Sequence, residues 1–255
     1  LRRILAPAGS ICGATMANDD DCYRVLIEFA FRHIDFQIAE LESVLDMHGI
    51  RLNQDSIQRI PLPNCNATTF RPFVILSLPW DSPFVPSDTK REPRQDEDIA
   101  AILLSRCILV RSVLELWGAH KTLEECAKQA IDWTNESKVG RMVYEKIAQH
   151  EKSWKLSVHT LGSKFTRQEQ DAMRRHFAPL DFPGPVRMKD CDHEFVLIRE
   201  IELDDKGSPL YPRFDEKRQP LYDTRPPLAC YFGLALGGVG RKRQRLNNEY
   251  SLKQR

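Results

Sequence analysis

The sequence predicts an α+β protein made of two compact α+β units joined end to end. Three observations lead there. Residues 23–117 read as strand, helix, strand, strand, helix, strand. A second series opens at Thr122 with two helices and closes on strands. A Pro- and charge-rich stretch (79–95) and a long polar stretch (204–227) interrupt the two series without helical or strand periodicity.

In the first unit, residues 23–31 (YRVLIEFAF) are rich in strand formers. Asp35 is positioned to cap the next helix, in which Phe36, Ile38, Leu41, Val44, Leu45 and Met47 recur at helical spacing until Gly49. A short strand is predicted at 57–62. Residues 73–78 (FVILSL), between Pro72 and Pro79, read as a buried strand. Residues 96–106 open with acids that suit a helix N-terminus. Residues 107–117 form a β-branched run that Gly118 is expected to end. This order is that of the ferredoxin-like split βαβ arrangement, an antiparallel sheet with two helices on one face.

In the second unit, Thr122 caps a helix over 122–134, and a second helix covers 138–150. Residues 154–160 (WKLSVHT) alternate as a strand. Thr166 and Glu169 have capping-box spacing for a helix over 166–177. A short strand at 186–189, a strand at 194–203 and a closing strand at 228–236 complete the series. The expected organisation is a disordered extension (1–22), a ferredoxin-like domain (23–118, with 79–95 a flexible insert), a second α+β domain (119–240, with 204–227 a long loop) and a basic linker (241–255). Trp117, Trp133 and Trp154 are expected in the core, and Trp80 is the tryptophan expected to be exposed.

Composition excludes several classes. No run of about 18 apolar residues exists, so no transmembrane helix is expected. The seven cysteines are scattered without a C-x-x-C pair, which argues against a disulfide framework and against zinc. His193-Glu194 is not H-E-x-x-H, and neither G-x-S-x-G nor a Walker A loop is present. Paired acids such as Glu124-Glu125 and Asp204-Asp205 read as solvated helix starts and loops, and His159 as a structural strand histidine.

The net charge of +1 hides a segregation. Residues 164–189 carry Lys164, Arg167, Arg174, Arg175, Arg187 and Lys189 against three acids, a net +3. Residues 241–255 carry a net +5, which leaves −7 for the rest of the chain. Arg167 and Arg174 are seven residues apart, so one helix face presents both. On charge alone the patch is either a phosphate-binding footprint or a solvated helix surface. The cluster Arg241, Lys242, Arg243 and Arg245 reads as an RNA contact, a nuclear-localisation-like run or a charged linker.

Four stretches resemble the N-terminal half of the tRNA (guanine-10, N2) methyltransferase family of eukaryotes and archaea. They are residues 111–118 (RSVLELWG), 154–160 with the Thr166–Glu169 helix start, 182–195 (FPGPVRMKDCDHEF), and 231–243 with 249–255. In order they cover about 23–255. Cys191 stands where the family usually has Pro, and Leu234 where it often has Arg.

The resemblance implies that the second unit is a THUMP domain that grips the acceptor end of tRNA. The ten cations Lys164, Arg167, Arg174, Arg175, Arg187, Lys189, Arg241, Lys242, Arg243 and Arg245 are then candidate RNA contacts. It also implies a catalytic Rossmann-like domain with a Gly-rich methyl-donor loop and an Asp-Pro-Pro-Tyr step. The one Pro-Pro pair here is in Arg225-Pro226-Pro227-Leu228, and Gly237, Gly238 and Gly240 do not follow G-x-G-x-x-G. The chain is therefore expected to be inactive alone, with no catalytic residues and no cofactor or metal of its own. S-adenosylmethionine and a small zinc-binding activator subunit are expected to serve the full-length enzyme, in the cytoplasm. The alternative readings are a stand-alone RNA-binding or protein-interaction adaptor, and an enzyme whose site carries no recognised motif.

Overall fold

The computed structural model describes residues 22–30, 33–52, 57–64, 71–85, 98–160, 165–202 and 227–238. Their order is β1 (Cys22–Phe29), α1 (Gln37–Met47), β2 (Gln58–Ile60), β3 (Phe73–Pro79), α2 (Ile99–Arg106), β4 (Val110–His120), α3 (Leu123–Glu136), α4 (Lys138–Ile147), β5 (Trp154–Thr160), α5 (Arg167–Arg175), β6 (His193–Glu200) and β7 (Ala229–Gly237). The predicted extension up to residue 21, the insert from 86 to 97, the loop 203–226 and the basic tail lie outside the described residues.

All seven strands form one mixed sheet in the order β2-β3-β1-β4-β7-β6-β5. The first six elements give the ferredoxin-like antiparallel half, as their order predicts. The remaining strands extend that half, and β7, last in sequence, is inserted between β4 and β6. Among the described ladders, β5–β6 is the parallel pair, with α5 in its crossover.

Strand alternation sorts the core. Val25 and Ile27 face α1 and α2, together with Leu41, Leu45, Ile102 and Leu103. Farther along the same side, Trp117, Phe195 and Phe232 face α3, α4 and the turn at Phe177–Leu180. Rings there interlock: Phe177 stacks on Phe232 at 4.0 Å, Phe182 on Phe195 at 4.2 Å, and Trp117 meets Phe195 edge-on at 5.2 Å. The opposite sheet face is apolar too, with Leu26, Ile75, Leu114, Val196 and Tyr231 buried.

Several local expectations change. A 3-10 turn at Ile34–Phe36 leads into α1, so Asp35 sits inside the turn, and Phe36 at the cap position offers no side-chain acceptor. Gly118 does not end β4, which continues to His120. The glycine is needed for close approach instead: a Cβ there would lie 2.3 Å from the Cys126 carbonyl oxygen of α3. Trp80 is not exposed; it packs between the two helix-side clusters, 6.1 Å from the Tyr23 ring. Beside it, Val85 is buried. The strand expected at 186–189 reduces to one bridge between Val186 and Trp154, and the chain turns at Asp190 with φ 50°.

Candidate nucleic-acid interface

Strand β5 ends the sheet among the described residues, so one side of its backbone has no described strand as partner. In a parallel ladder the N–H and C=O of one residue point to the same side, and the next residue's point to the other. The Trp154 amide donates to the Pro185 carbonyl at 3.0 Å, and the Trp154 carbonyl accepts from the Arg187 amide at 3.0 Å. Trp154 therefore faces the outer edge, and so does Leu156 two residues on. The Leu156 carbonyl accepts from Arg174 Nε at 3.0 Å. An arginine of α5 thus closes a position that another strand could otherwise take.

Helix α5 begins as its sequence predicts. Thr166 and Glu169 form a reciprocal capping box, with the Glu169 amide donating to Thr166 Oγ1 at 3.3 Å and the Thr166 amide to Glu169 Oε2 at 2.7 Å. Arg174 also donates to Asp171 Oδ1 at 2.6 Å and to Gln170 Oε1 at 3.3 Å. Its five donors are thus largely committed within the fold. Arg167 lies 3.9 Å from the other Asp171 oxygen with its side chain 95% exposed. The two arginines share a face, as the seven-residue spacing predicts, and they share one carboxylate. Arg175, on the next position, is exposed.

The segment after α5 is laced to the body from three sides. Tyr144 Oη donates to the Leu180 carbonyl at 2.5 Å, and Trp154 Nε1 to the Gly184 carbonyl at 2.9 Å. Asp192 accepts from the Ser153 amide at 2.8 Å and from Ser153 Oγ at 2.6 Å. These hydrogen bonds from Ser153 hold the Asp192 carboxyl below the usual carboxylate range. Between these ties, Arg187 and Lys189 are exposed, interleaved with exposed Val186 and Met188. No ion pair with a described residue engages Arg175, Arg187 or Lys189.

Of the ten cations expected at the interface, five are described, and all five belong to α5 or the strap beyond it. Arg167, Arg175, Arg187 and Lys189 point into solvent, whereas Arg174 serves the fold. Lys164, Arg241, Lys242, Arg243 and Arg245 lie outside the described residues. Lys152, half exposed and 4.0 Å from Asp192, joins this surface although the sequence does not mark it. Only the parallel pairing that brings residues 152–154 beside 184–192 places it there. His159 on β5 is partly buried, and burial lowers its pKa from the ordinary value. Among the described residues no group of three or more His, Cys, Asp or Glu could hold a metal ion, and no helix is long and apolar enough to cross a membrane.

The profile of the family described as "Tmrp11 THUMP N-terminal domain" matches residues 71–212. This chain belongs to that family. The tRNA (guanine(10)-N(2))-methyltransferase TRMT11 of Bos taurus is 25% identical over 191 residues, 74% of this chain and 34% of the relative. The Xenopus laevis enzyme of the same description is 24% identical over 234 residues, 91% of this chain and 38% of the relative. The chain thus spans about a third of the length of these curated relatives. Among solved structures, PH1313 from Pyrococcus horikoshii is similar over 83% of this chain and 54% of its own, with TM-score 0.39 and 11% identity.

Proposed function

We propose that this chain is the tRNA-binding N-terminal region of a tRNA (guanine(10)-N2)-methyltransferase, which holds tRNA while a catalytic domain outside these 255 residues methylates the guanosine. The observation that carries the reading is a cationic edge on a rigid mount. Arg167, Arg175, Arg187 and Lys189 stand in solvent, while the capping box, Arg174 and the Ser153–Asp192 bonds fix the backbone beneath them. Cations on a rigid surface neutralise successive phosphates, and folded RNA offers phosphates and 2′-hydroxyls more readily than base edges. Membership of the THUMP family and the names of the relatives support tRNA as the partner.

Lys164 and the cluster Arg241, Lys242, Arg243 and Arg245, outside the described residues, are further proposed RNA contacts on the strength of their charge. Methyl transfer draws on S-adenosylmethionine in this reading, but the described residues do not fit the donor. Their sheet is antiparallel apart from β5–β6, and the β5–α5 connection carries a single glycine, Gly162. The donor, and the small zinc-binding activator subunit, belong to the remainder of the enzyme in the cytoplasm.

The test is tRNA binding by this chain at two salt concentrations. Wild type is expected to bind with a steep salt dependence, and Arg175→Glu with Arg187→Glu and Lys189→Glu to weaken binding and flatten that dependence. Equal affinity of wild type and the triple variant rules out this interface.

A further inference from the structure

We propose that the α1 face carrying Phe36 and Met47, with Ile108 beside it, docks a basic amphipathic helical segment of a protein partner. Phe36, Met47 and Ile108 are 65%, 74% and 57% exposed. Phe36 ends the 3-10 turn at the N-cap of α1 and Met47 ends the helix; counted at 100° per residue, Phe36, Glu40, Ser43 and Met47 fall within about 60° of one another, with Phe36 and Met47 roughly 16 Å apart. Between them, Glu40 is already committed. Its carboxylate accepts from the Ile108 amide at 2.7 Å and the Leu109 amide at 2.9 Å, which places the Ile108 backbone beside this line. The result is a row about three turns long with apolar ends, Phe36 and Met47, and with Ser43 and the committed Glu40 between them, a span that anchors at i and i+11 of a partner helix reach.

Charge selects the occupant. Asp35, Glu42 and Asp46, all exposed, form a second row next to the apolar one, and α1 contains no Lys or Arg. Arg106, two residues before Ile108, is a cation at the far margin. Acids in a row repel RNA phosphate and an anionic lipid surface, and they attract a partner with Lys or Arg beside its apolar stripe. A second copy of this chain is a poor fit. Its exposed arginines on α5 accompany only Ala172 and Met173 as apolar residues, with Met173 packed against the core, and its Arg187 and Lys189 alternate with exposed Val186 and Met188 on a strap that is not helical. The face lies over the β1–β3 half of the sheet, while the cations lie at the β5 edge, so both surfaces can be occupied together.

The experiment titrates the chain into two labelled helical peptides of identical apolar pattern, one of Leu and Lys, the other of Leu and Glu, read by fluorescence anisotropy. The Leu/Lys peptide is expected to bind and the Leu/Glu peptide not. Phe36→Ser with Met47→Ser should weaken Leu/Lys binding about tenfold or more, with an unchanged melting temperature because both side chains are exposed. Glu42→Lys with Asp46→Lys should do the same without touching the apolar row. The proposal is overturned if the variants bind as wild type does, or if both peptides bind equally. It is also overturned if the Phe36/Met47 variant loses tRNA affinity, or if it dissociates a dimer seen by sedimentation.

Discussion

Arg71 and Glu200 stand 129 residues apart and close a two-pronged ion pair on the sheet face opposite the described helices, Nε to Oε1 at 2.8 Å and Nη2 to Oε2 at 2.5 Å. The side chains are 7% and 1% exposed. Tyr231 Oη binds both partners at 2.8 Å, and the Pro63 carbonyl accepts from Arg71 Nη1 at 2.5 Å. Arg71, two residues before β3, is thereby tied to the end of β6 and to β7. The first half of the chain does not meet the second only through β4. Removing the arginine strands a buried carboxylate, which costs about 3–5 kcal/mol. Arg71→Met should therefore destabilise the whole chain by that amount in urea unfolding, and Arg71→Met with Glu200→Gln by clearly less. A loss below about 1 kcal/mol for the single change would mean that the pair behaves as a surface pair.

Glu115 makes a second buried relationship, accepting from Tyr23 Oη at 2.9 Å and from Trp117 Nε1 at 2.7 Å. Burial raises its pKa above the ordinary 4.5, against the pull of the two donors. A raised folded pKa favours the protonated native state. Its contribution is full below 4.5 and declines as pH rises toward the folded value. Glu115→Gln retains an acceptor for Trp117 and a partner for Tyr23 but cannot ionise. Its stability should fall less than that of wild type as pH rises above 4.5. Glu115→Leu leaves two buried groups unpaired and should cost about 1–3 kcal/mol for each. Parallel pH profiles of wild type and Glu115→Gln would show that the carboxyl keeps its ordinary pKa.

The elements were largely legible because their signals are local. The Thr166–Glu169 capping box, the Thr122 cap and the apolar run at 73–78 each specify an element from its own residues. Spatial order was legible only in the first half, where the βαββαβ pattern admits few arrangements. Nothing near residues 229–237 announces that this last strand enters between β4 and β6, since matching faces fix its pairing with β4 over more than 100 residues and with β6 across the long stretch that separates them. The same limit explains Gly118 and Arg174. Gly118 read as a terminator because the helix backbone lying on it is not a sequence signal. Arg174 read as a phosphate ligand because its acceptor, the Leu156 carbonyl, belongs to another element.

Gly118 gives a sharp packing prediction. An added methyl would meet the Cys126 carbonyl oxygen at 2.3 Å and the Ala130 amide nitrogen at 3.2 Å, both backbone atoms of α3. The helix must then lift from β4, so Gly118→Ala should cost about 1–3 kcal/mol by overpacking. Gly49→Ala is the control. Its site is open but has φ +74°, so its cost is the backbone strain of about 1–2 kcal/mol. Near-ultraviolet circular dichroism separates the two, because only Gly118→Ala disturbs the packing of Trp117 and Trp133, 5.6 Å apart.

Arg174 and Arg175 are neighbours with opposite assignments, and conservative substitution distinguishes them. Arg174→Lys keeps the charge but loses the planar fork that reaches the Leu156 carbonyl, Asp171 and Gln170 together. If Arg174 holds α5 to the sheet edge, Lys should fail nearly as badly as Ala, with faster hydrogen exchange in α5 and β5 and a lower melting temperature. Arg175→Lys should leave both unchanged and keep most of the RNA affinity, because a phosphate accepts either cation. Arg175→Glu should weaken RNA binding and reduce the salt slope by about 0.7–0.9, because one fewer phosphate is neutralised. Full rescue of stability and exchange by Arg174→Lys would return Arg174 to the set of simple phosphate ligands and leave the β5 edge without its guard.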